Sequence, residues 1–334
     1  MDVNTVHPDY RIVSSDQNTL GEGPLWDARS NEFVWVAAYR HGFYTAAVDR
    51  SGRFQEPRFR TTDVFTVGIT PWGQEAGSYL LTGADGLYRW HDATATKTPA
   101  ADLPTSLLDR GDGAVPSTTT HRFNDVTAGP GGEFFAGIMP WHPDDPAYSG
   151  GGGALVRFDA VGDPAAGVPV VVEPAGLLPP RIPNGMGFSP ATHGAPQWFY
   201  FTDSLRRRIY RMPYTADASP DTLLGPAEVL VDSTDRAGVP DGLTVAADGS
   251  IFSARWGGGC IDRYDPEGVL LERYAVPMRQ PSSIAFGGPH REILLVTSAT
   301  EHLAPHEITP TDGITIALEL GVRGQVEYGV RDTW

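Results

Sequence analysis

The chain has 334 residues, 40% of them hydrophobic, and its 41 acidic against 25 basic side chains give a formal charge of -16. That apolar content suffices for a sizeable core, whereas the acidic excess argues against a nucleic-acid partner or an anionic membrane surface, both of which rest on Lys and Arg. Cys260, the single cysteine, excludes an intrachain disulfide or a cysteine-rich zinc site and reads as a small buried hydrophobe. The opening MDVNTVHPDY lacks the basic-then-apolar pattern of a secretory signal. No apolar run reaches the roughly 20 residues of a membrane span, so no membrane partner and a cytoplasmic location are expected.

Taken in chain order, the strands come in similar groups. GEGPLW (21–26) is followed by EFVWVA (32–37), and TVGITP (66–71) by SYLLTG (78–83) and GLYRW (86–90). FNDVTA (123–128) precedes EFFAGI (133–138) and ALVRFD (154–159), and PNGMGF (183–188) precedes WFYFTD (198–203) and RIYRMP (208–213). PDGLTV (240–245) leads to SIFSAR (250–255) and CIDRYD (260–265), and PSSIAF (281–286) to EILLVT (292–297). Anchored on Glu22, Val67, Asn124, Asn184, Asp241 and Ser282, the groups recur at spacings of 45, 57, 60, 57 and 41 residues. Six units of that size, rich in Gly and Pro turns and without a 3.6-residue apolar period, predict an all-β, six-bladed β-propeller formed as one domain over residues 1–334. The polar insertions 91–120 and 141–153 are expected as rim loops, and 215–230 as a turn or short helix.

In a propeller blade the innermost strand starts at the central channel, so the anchors are the expected channel-lining positions. Four of the six are Glu22, Asn124, Asn184 and Asp241. Each alone also reads as a turn or solvated residue, since Asn-Gly and Asp-Gly pairs are ordinary turn formers. Together they offer two carboxylates and two amide oxygens, a hard-oxygen donor set for Ca²⁺ first, with Mn²⁺, Mg²⁺ and Zn²⁺ as alternatives. Such a cation can polarise a carbonyl and lower the pKa of a water. Asp241 or Glu22 can serve as the proton acceptor. Arg122, two residues before Asn124, is expected on the same face of its strand, aimed at a substrate oxygen. His121 adjoins that strand as a further pocket candidate. Ser204 lines a strand end without a GxSxG elbow, and Trp72, Trp141 and Trp256 are candidate apolar walls or blade packing.

LGEGPLWD (20–27), RFNDVTAGPGGEFFAG (122–137), PNGMGFSP (183–190), FYFTDS (199–204), PDGLTVAADGSIF (240–252) and PSSIAFGG (281–288) resemble the motifs of the SMP-30/gluconolactonase/luciferin-regenerating family, over residues 18–325. The resemblance implies a six-bladed propeller with one catalytic divalent cation and a small lactone, a sugar lactone first, as substrate. It implies Glu22, Asn184 and Asp241 as metal ligands, Asn124 near metal and substrate, Asp241 as general base and Arg122 as the substrate-contacting arginine. Two stretches depart from the family pattern. GIMPWHP (137–143) puts Met139 and Trp141 where some sugar lactonases carry an acidic residue, and WVAAYRHG (35–42) replaces a WVDI-like run. Both suggest a pocket more apolar on one side, with Met139, Trp141 and His121 as substrate contacts. Another esterase, a phosphotriesterase, a non-hydrolytic biosynthetic enzyme on the same metal site, or a non-catalytic calcium-binding propeller are the alternative readings.

Overall fold

The computed structural model describes residues 4–104, 117–158, 170–191, 197–216 and 222–331. It is an all-β, six-bladed propeller fold: five blades are four-stranded antiparallel sheets, and the blade holding Leu270–Ala275 carries a fifth strand, Thr5–Val6, paired parallel to it. Blade 1 comprises Gly21–Asp27, Glu32–Ala37, Gly42–Ala47 and Arg58–Thr61. Blade 2 is Gly68–Pro71, Ser78–Thr82, Gly86–His91 and Thr96–Asp102; blade 3 is His121–Ala128, Phe134–Pro140, Ala154–Phe158 and Val170–Val171. Blade 4 is Pro183–Phe188, Gln197–Asp203, Arg208–Tyr214 and Glu228–Asp232; blade 5 is Val239–Val245, Ile251–Trp256, Cys260–Tyr264 and Leu270–Ala275. Blade 6 takes Pro281–Gly287, Ile293–Ser298 and Thr315–Glu319 from one end of the chain and its outer strand, Tyr10–Ser14, from the other.

The backbone contacts divide into two compact units, Met1–Ile69 with Ser233–Glu327, and Thr70–Asp232 with Tyr328–Trp334. The first holds blades 1, 5 and 6. Its core is two apolar clusters, one around Trp26, Phe33, Trp35, Tyr44 and Leu295, the other around Phe252, Ile261, Phe286, Leu294 and Ile316. The second holds the body of blade 2 and blades 3 and 4, with Phe135, Phe188, Phe199, Phe201 and Tyr210 packed together. The second strands, such as EFVWVA and FFAGIMP, are buried along their whole length. A strand buried on both faces reads as a continuous β-branched and aromatic run rather than an alternating one, which is why these segments were legible. Each fully buried Phe or Leu side chain among them contributes about 1.5–3 kcal/mol.

One expectation needs correction and a second holds in part. Thr96–Asp102, inside the expected rim loop 91–120, is the outer strand of blade 2, paired with Gly86–His91. Its polar sequence and Pro99 hid it, yet an edge strand tolerates both because one side makes no ladder bonds. The segment 215–230 turns at residues 216 and 222, one of its two expected forms, and also contributes strand Glu228–Asp232 and a bridge between Tyr214 and Leu224, with no helix among the described residues. Residues 105–116 of the 91–120 insertion, and 217–221, lie outside the described residues.

The long loop after Ile293–Ser298 is tied down by Asp312, whose side chain is fully buried. Burial alone would raise its pKa, but the Arg279 guanidinium (2.9 Å), the backbone N–H groups of Arg279 and Thr309, and the Thr309 hydroxyl outweigh it and hold the carboxyl at about 2. A carboxylate depressed on folding stabilises the protein above its unfolded pKa of about 3.9, and that contribution disappears as pH falls towards the folded value. Urea midpoints are therefore expected to fall between about pH 4 and pH 2. An Asp312→Asn variant should be less stable at pH 7 and show a shallower acid dependence; an unchanged acid limb would contradict this role.

Candidate functional site

The inner strands share one irregularity. The ladder slips at Glu22/Leu25 in blade 1, Phe123/Val126 in blade 3, Asn184/Met186 in blade 4, Pro240/Leu243 in blade 5 and Pro281/Ile284 in blade 6. In each case the anchor residue lies at or inside the slip. A bulge breaks strict alternation and re-aims a side chain, so these five blades direct a polar residue by the same local device. Sequence reading found the anchors but not the bulges. Their signal was the pair that starts at each anchor: Glu-Gly, Asn-Asp, Asn-Gly, Asp-Gly and Ser-Ser.

In the second unit, Arg122 and Asn124 face the same side, as their spacing predicts. Arg122 Nη1 donates to Asn124 Oδ1 at 2.7 Å and to the Phe123 carbonyl at 2.9 Å. Asn124 Nδ2 then donates to the Pro183 carbonyl at 2.9 Å, linking blade 3 to the residue before Asn184. Gly137 permits this approach, since a Cβ there would stand 2.8 Å from the Pro183 side chain. Asn184 is buried, and its Nδ2 donates to Ser204 Oγ at 3.2 Å, so Ser204 orients the amide. Asp203 shapes the approach to Asn184 by accepting from the N–H groups of Arg181 (3.2 Å) and Ile182 (3.5 Å) and from the Arg206 guanidinium (2.6 Å). Sequence reasoning did not single out Asp203 or Arg206.

Trp141 stacks on Arg122, with the guanidinium carbon 5.2 Å from the ring centroid. Met139 is the cross-strand partner of Arg122 and is buried. Both therefore belong to the same wall as the arginine. His121 is buried, with Nδ1 at Thr120 Oγ1 (2.9 Å) and Nε2 at the Gly152 carbonyl (3.0 Å). Burial holds its pKa below the ordinary imidazole range. These bonds fasten the 150–153 glycine segment. Burial lifts Asp125, beside Asn124, to about 6 although the Val126 N–H favours its charged form.

In the first unit, Glu22 is half-buried and Asp241 is buried, 4% exposed. Ser282 Oγ donates to the Gly21 carbonyl at 2.5 Å, joining the inner strands of blades 6 and 1 beside Glu22. On the other side of the same strand, a Cβ at Gly242 would lie 2.1 Å from Ser283 Oγ, so only glycine lets blade 5 bring Asp241 this close to blade 6. The backbone preceding Asp241 is held by Arg255, fully buried, which donates to the carbonyls of Ala237 (2.8 Å) and Gly238 (2.9 Å) and to Ser233 Oγ (2.8 Å). Behind it, Asp262 accepts twice from Arg273 (2.7 and 2.9 Å) and once from Tyr264 (3.0 Å). Cys260, in the same blade, is buried and its thiol is pushed up to about 11, an inert packing residue.

Among the described residues no three His, Cys, Asp or Glu side chains converge into a metal cluster. A cation held by the described residues would therefore draw on amide, carbonyl or water oxygens beside one or two carboxylates. The donor chemistry of Glu22, Asp241, Asn124 and Asn184 fits that requirement, and it suits a hard divalent ion rather than one preferring nitrogen or sulfur.

Residues 20–300 match the SMP-30/Gluconolactonase/LRE-like region model. A pentonolactonase of Haloferax volcanii is 40% identical over 57% of this chain and 58% of its own length, so the chain spans little more than half of that relative. An L-arabinolactonase of Azospirillum brasilense is 30% identical over 88% of this chain and 86% of its own. Among solved structures, the calcium-binding protein regucalcin from Agrobacterium tumefaciens superposes with a TM-score of 0.79 at 29% identity, covering 97% of this chain and 98% of its own. With the motifs in order and the blades where those motifs require them, the chain belongs to the SMP-30/gluconolactonase/regucalcin-like lactonase family.

Proposed function

We propose that the protein hydrolyses a small sugar lactone with the help of one divalent cation, Ca²⁺ before Mn²⁺, Mg²⁺ or Zn²⁺. The observation that carries this reading is the pre-set Arg122–Asn124 pair latched to Pro183, which holds a guanidinium beside the amides without needing substrate to order it. Family membership and two lactonase relatives support the reaction class.

The residues assigned to the cation from the shared motifs are Glu22 and Asp241 of the first unit and Asn184, with Asn124, of the second. A cation bound by such ligands supplies Lewis-acid polarisation of a carbonyl. Asp241 accepts the proton of the attacking water, as a general base must. Arg122 donates to a ring or carbonyl oxygen and fixes the lactone's orientation. Asn184, steadied by Ser204, presents its oxygen in one direction. Metal stripping followed by separate addition of each cation, with acid release from a lactone panel followed by pH-stat, tests the reading. Cation-restored opening of one lactone is the expected result. Folded, metal-loaded protein that opens none would sink it.

Met139 and Trp141 favour a second substrate reading on the same residues, a less polar lactone or another ester, because the Trp141 ring covers Arg122 and the buried Met139 makes the position across from it apolar. A panel including aryl esters and phosphotriesters separates the two. Trp141→Ala also tests the stacking. Loss of a cation–π contact worth about 0.5–2 kcal/mol should raise KM roughly 2- to 30-fold with kcat nearly kept. An equal fall in kcat would instead make Trp141 part of the chemical step.

A further inference from the structure

We infer that Tyr39, Phe65 and Glu301 form an outer subsite for a hydroxylated carbon chain, at the Glu22 end of the first unit. The inference deepens the lactonase reading and rests on it for the identity of the natural ligand. The three residues come from three separate segments: the turn Ala38–Arg40, the segment before Gly68–Pro71, and the loop following Ile293–Ser298. Register brings the turn of Tyr39 and the loop of Glu301 to Thr19 and Leu20, two to three residues before Glu22, and Phe65 joins them through its ring contact with Tyr39. Glu22 pairs with Val36 and Gly21 with Ala37, and the Ala38 N–H then donates to the Leu20 carbonyl at 2.9 Å. Glu301 is held at the same point, because its N–H donates to the Thr19 carbonyl at 2.9 Å and Leu20 bridges to Ala299.

The chemistry of the three is complementary to a polyol. Tyr39 is 47% exposed, and it meets Phe65 edge-on, with centroids 5.1 Å apart and planes at 85°. Two perpendicular rings make a corner that a C–H face can pack into. The Tyr39 hydroxyl donates to Glu301 Oε1 at 2.5 Å. That bond orients the Glu301 carboxylate, whose oxygens are charged acceptors for hydroxyl donors on neighbouring carbons. Exposed aromatic surface alone would be unremarkable, but here it is coupled to a carboxylate that the aromatic itself orients.

The turn is rigid before any ligand arrives. Arg40 pairs with Asp16 at 2.7 Å, bonds the Tyr44 hydroxyl, and stacks on Phe59 at 4.5 Å. His41 ends the turn in the left-handed region at φ 55°. Tyr39 is therefore presented outward by a fixed backbone, and a ligand bears little ordering cost on binding it.

Tyr39→Ala and Glu301→Gln, assayed beside wild type, test the subsite on two lactones: a hexono-1,4-lactone with a two-carbon hydroxylated side chain, and a 2,3-dihydroxy-γ-butyrolactone without one. The expected result is a KM for the longer lactone raised about tenfold in each variant, from lost hydrogen bonds to a charged group and lost ring contact, with kcat held. The KM of the shorter lactone should not move. Equal changes on both lactones, or none on either, overturn the subsite. If wild type opens neither lactone, the lactonase reading is left to the wider panel, and the subsite is judged by saturation-transfer NMR titration of a six-carbon alditol. Weaker alditol binding in both variants then supports it, and unchanged binding overturns it. Tighter binding of tetramethylammonium than of the alditol, lost in Glu301→Gln, would show a cation site in place of a polyol site and also overturn it.

Discussion

Asp241→Asn is expected to lower kcat by roughly 10²–10⁴-fold, the usual worth of a positioned general base, while the fold survives. The substitution preserves the volume of a side chain that is 4% exposed, so packing beside Ser283 and Gly242 is undisturbed. What changes is charge and basicity. An amide oxygen can still approach a cation, but it cannot take a proton from water. Two measurements separate these losses. Metal content per chain reports the ligand role, and kcat at saturating cation reports the base. Full metal occupancy with lost kcat would assign Asp241 to proton transfer. Lost occupancy, with turnover recovered at high cation concentration, would assign it chiefly to binding. Normal turnover in a folded Asp241→Asn protein would overturn both assignments. Circular dichroism and a melting temperature within a few degrees of wild type provide the folding check.

The largest stability effect is expected from Asp262→Ala, at about 3–5 kcal/mol, the cost of stranding buried charge. Asp262 and Arg255 are both fully buried, with Arg255 Nε 3.8 Å from Asp262 Oδ2, and Arg273 forks onto the same carboxylate. Arg236 adds a more distant charge at 4.0 Å and donates to the Tyr264 hydroxyl at 2.7 Å. Removing the carboxylate leaves these guanidinium groups with no counter-charge at the centre of the network. Asp262→Asn should also be costly: it keeps the side-chain volume, but it loses the charge and turns one of the two accepting oxygens into an N–H donor that faces the Arg273 guanidinium. Urea unfolding measures both. Since Arg255 also holds the Ala237 and Gly238 carbonyls ahead of Asp241, a catalytic loss in any folded Asp262 variant is expected as well. A stability loss below about 1 kcal/mol for Asp262→Ala would mean that water replaces the carboxylate without penalty.

Much of the blade pattern was legible because buried strands are continuous apolar runs, and because Gly-, Asn- and Asp-rich turns punctuate them. Thr96–Asp102 was missed for the converse reason: an outer strand buries little and carries little pattern. Tyr10–Ser14 was also invisible as a blade 6 strand, since its partner Thr315–Glu319 lies some 300 residues away and no local signal encodes such a pairing.

Spacing and residue type by themselves determined the number of blades, the anchor positions Glu22, Asn124, Asn184 and Asp241, and the expected side of Arg122. Those features repeat along the chain or follow from two-residue alternation, which needs no knowledge of distant partners. Only the tertiary structure decided that bulges re-aim the anchors, that Ser204 serves Asn184, that Trp141 covers Arg122, and that Arg255 and Asp262 stand behind Asp241. Each of these depends on side chains from different strands or loops meeting at hydrogen-bond or stacking distance. Such distances are set by how sheets pack and where loops return, not by the identity of any residue alone.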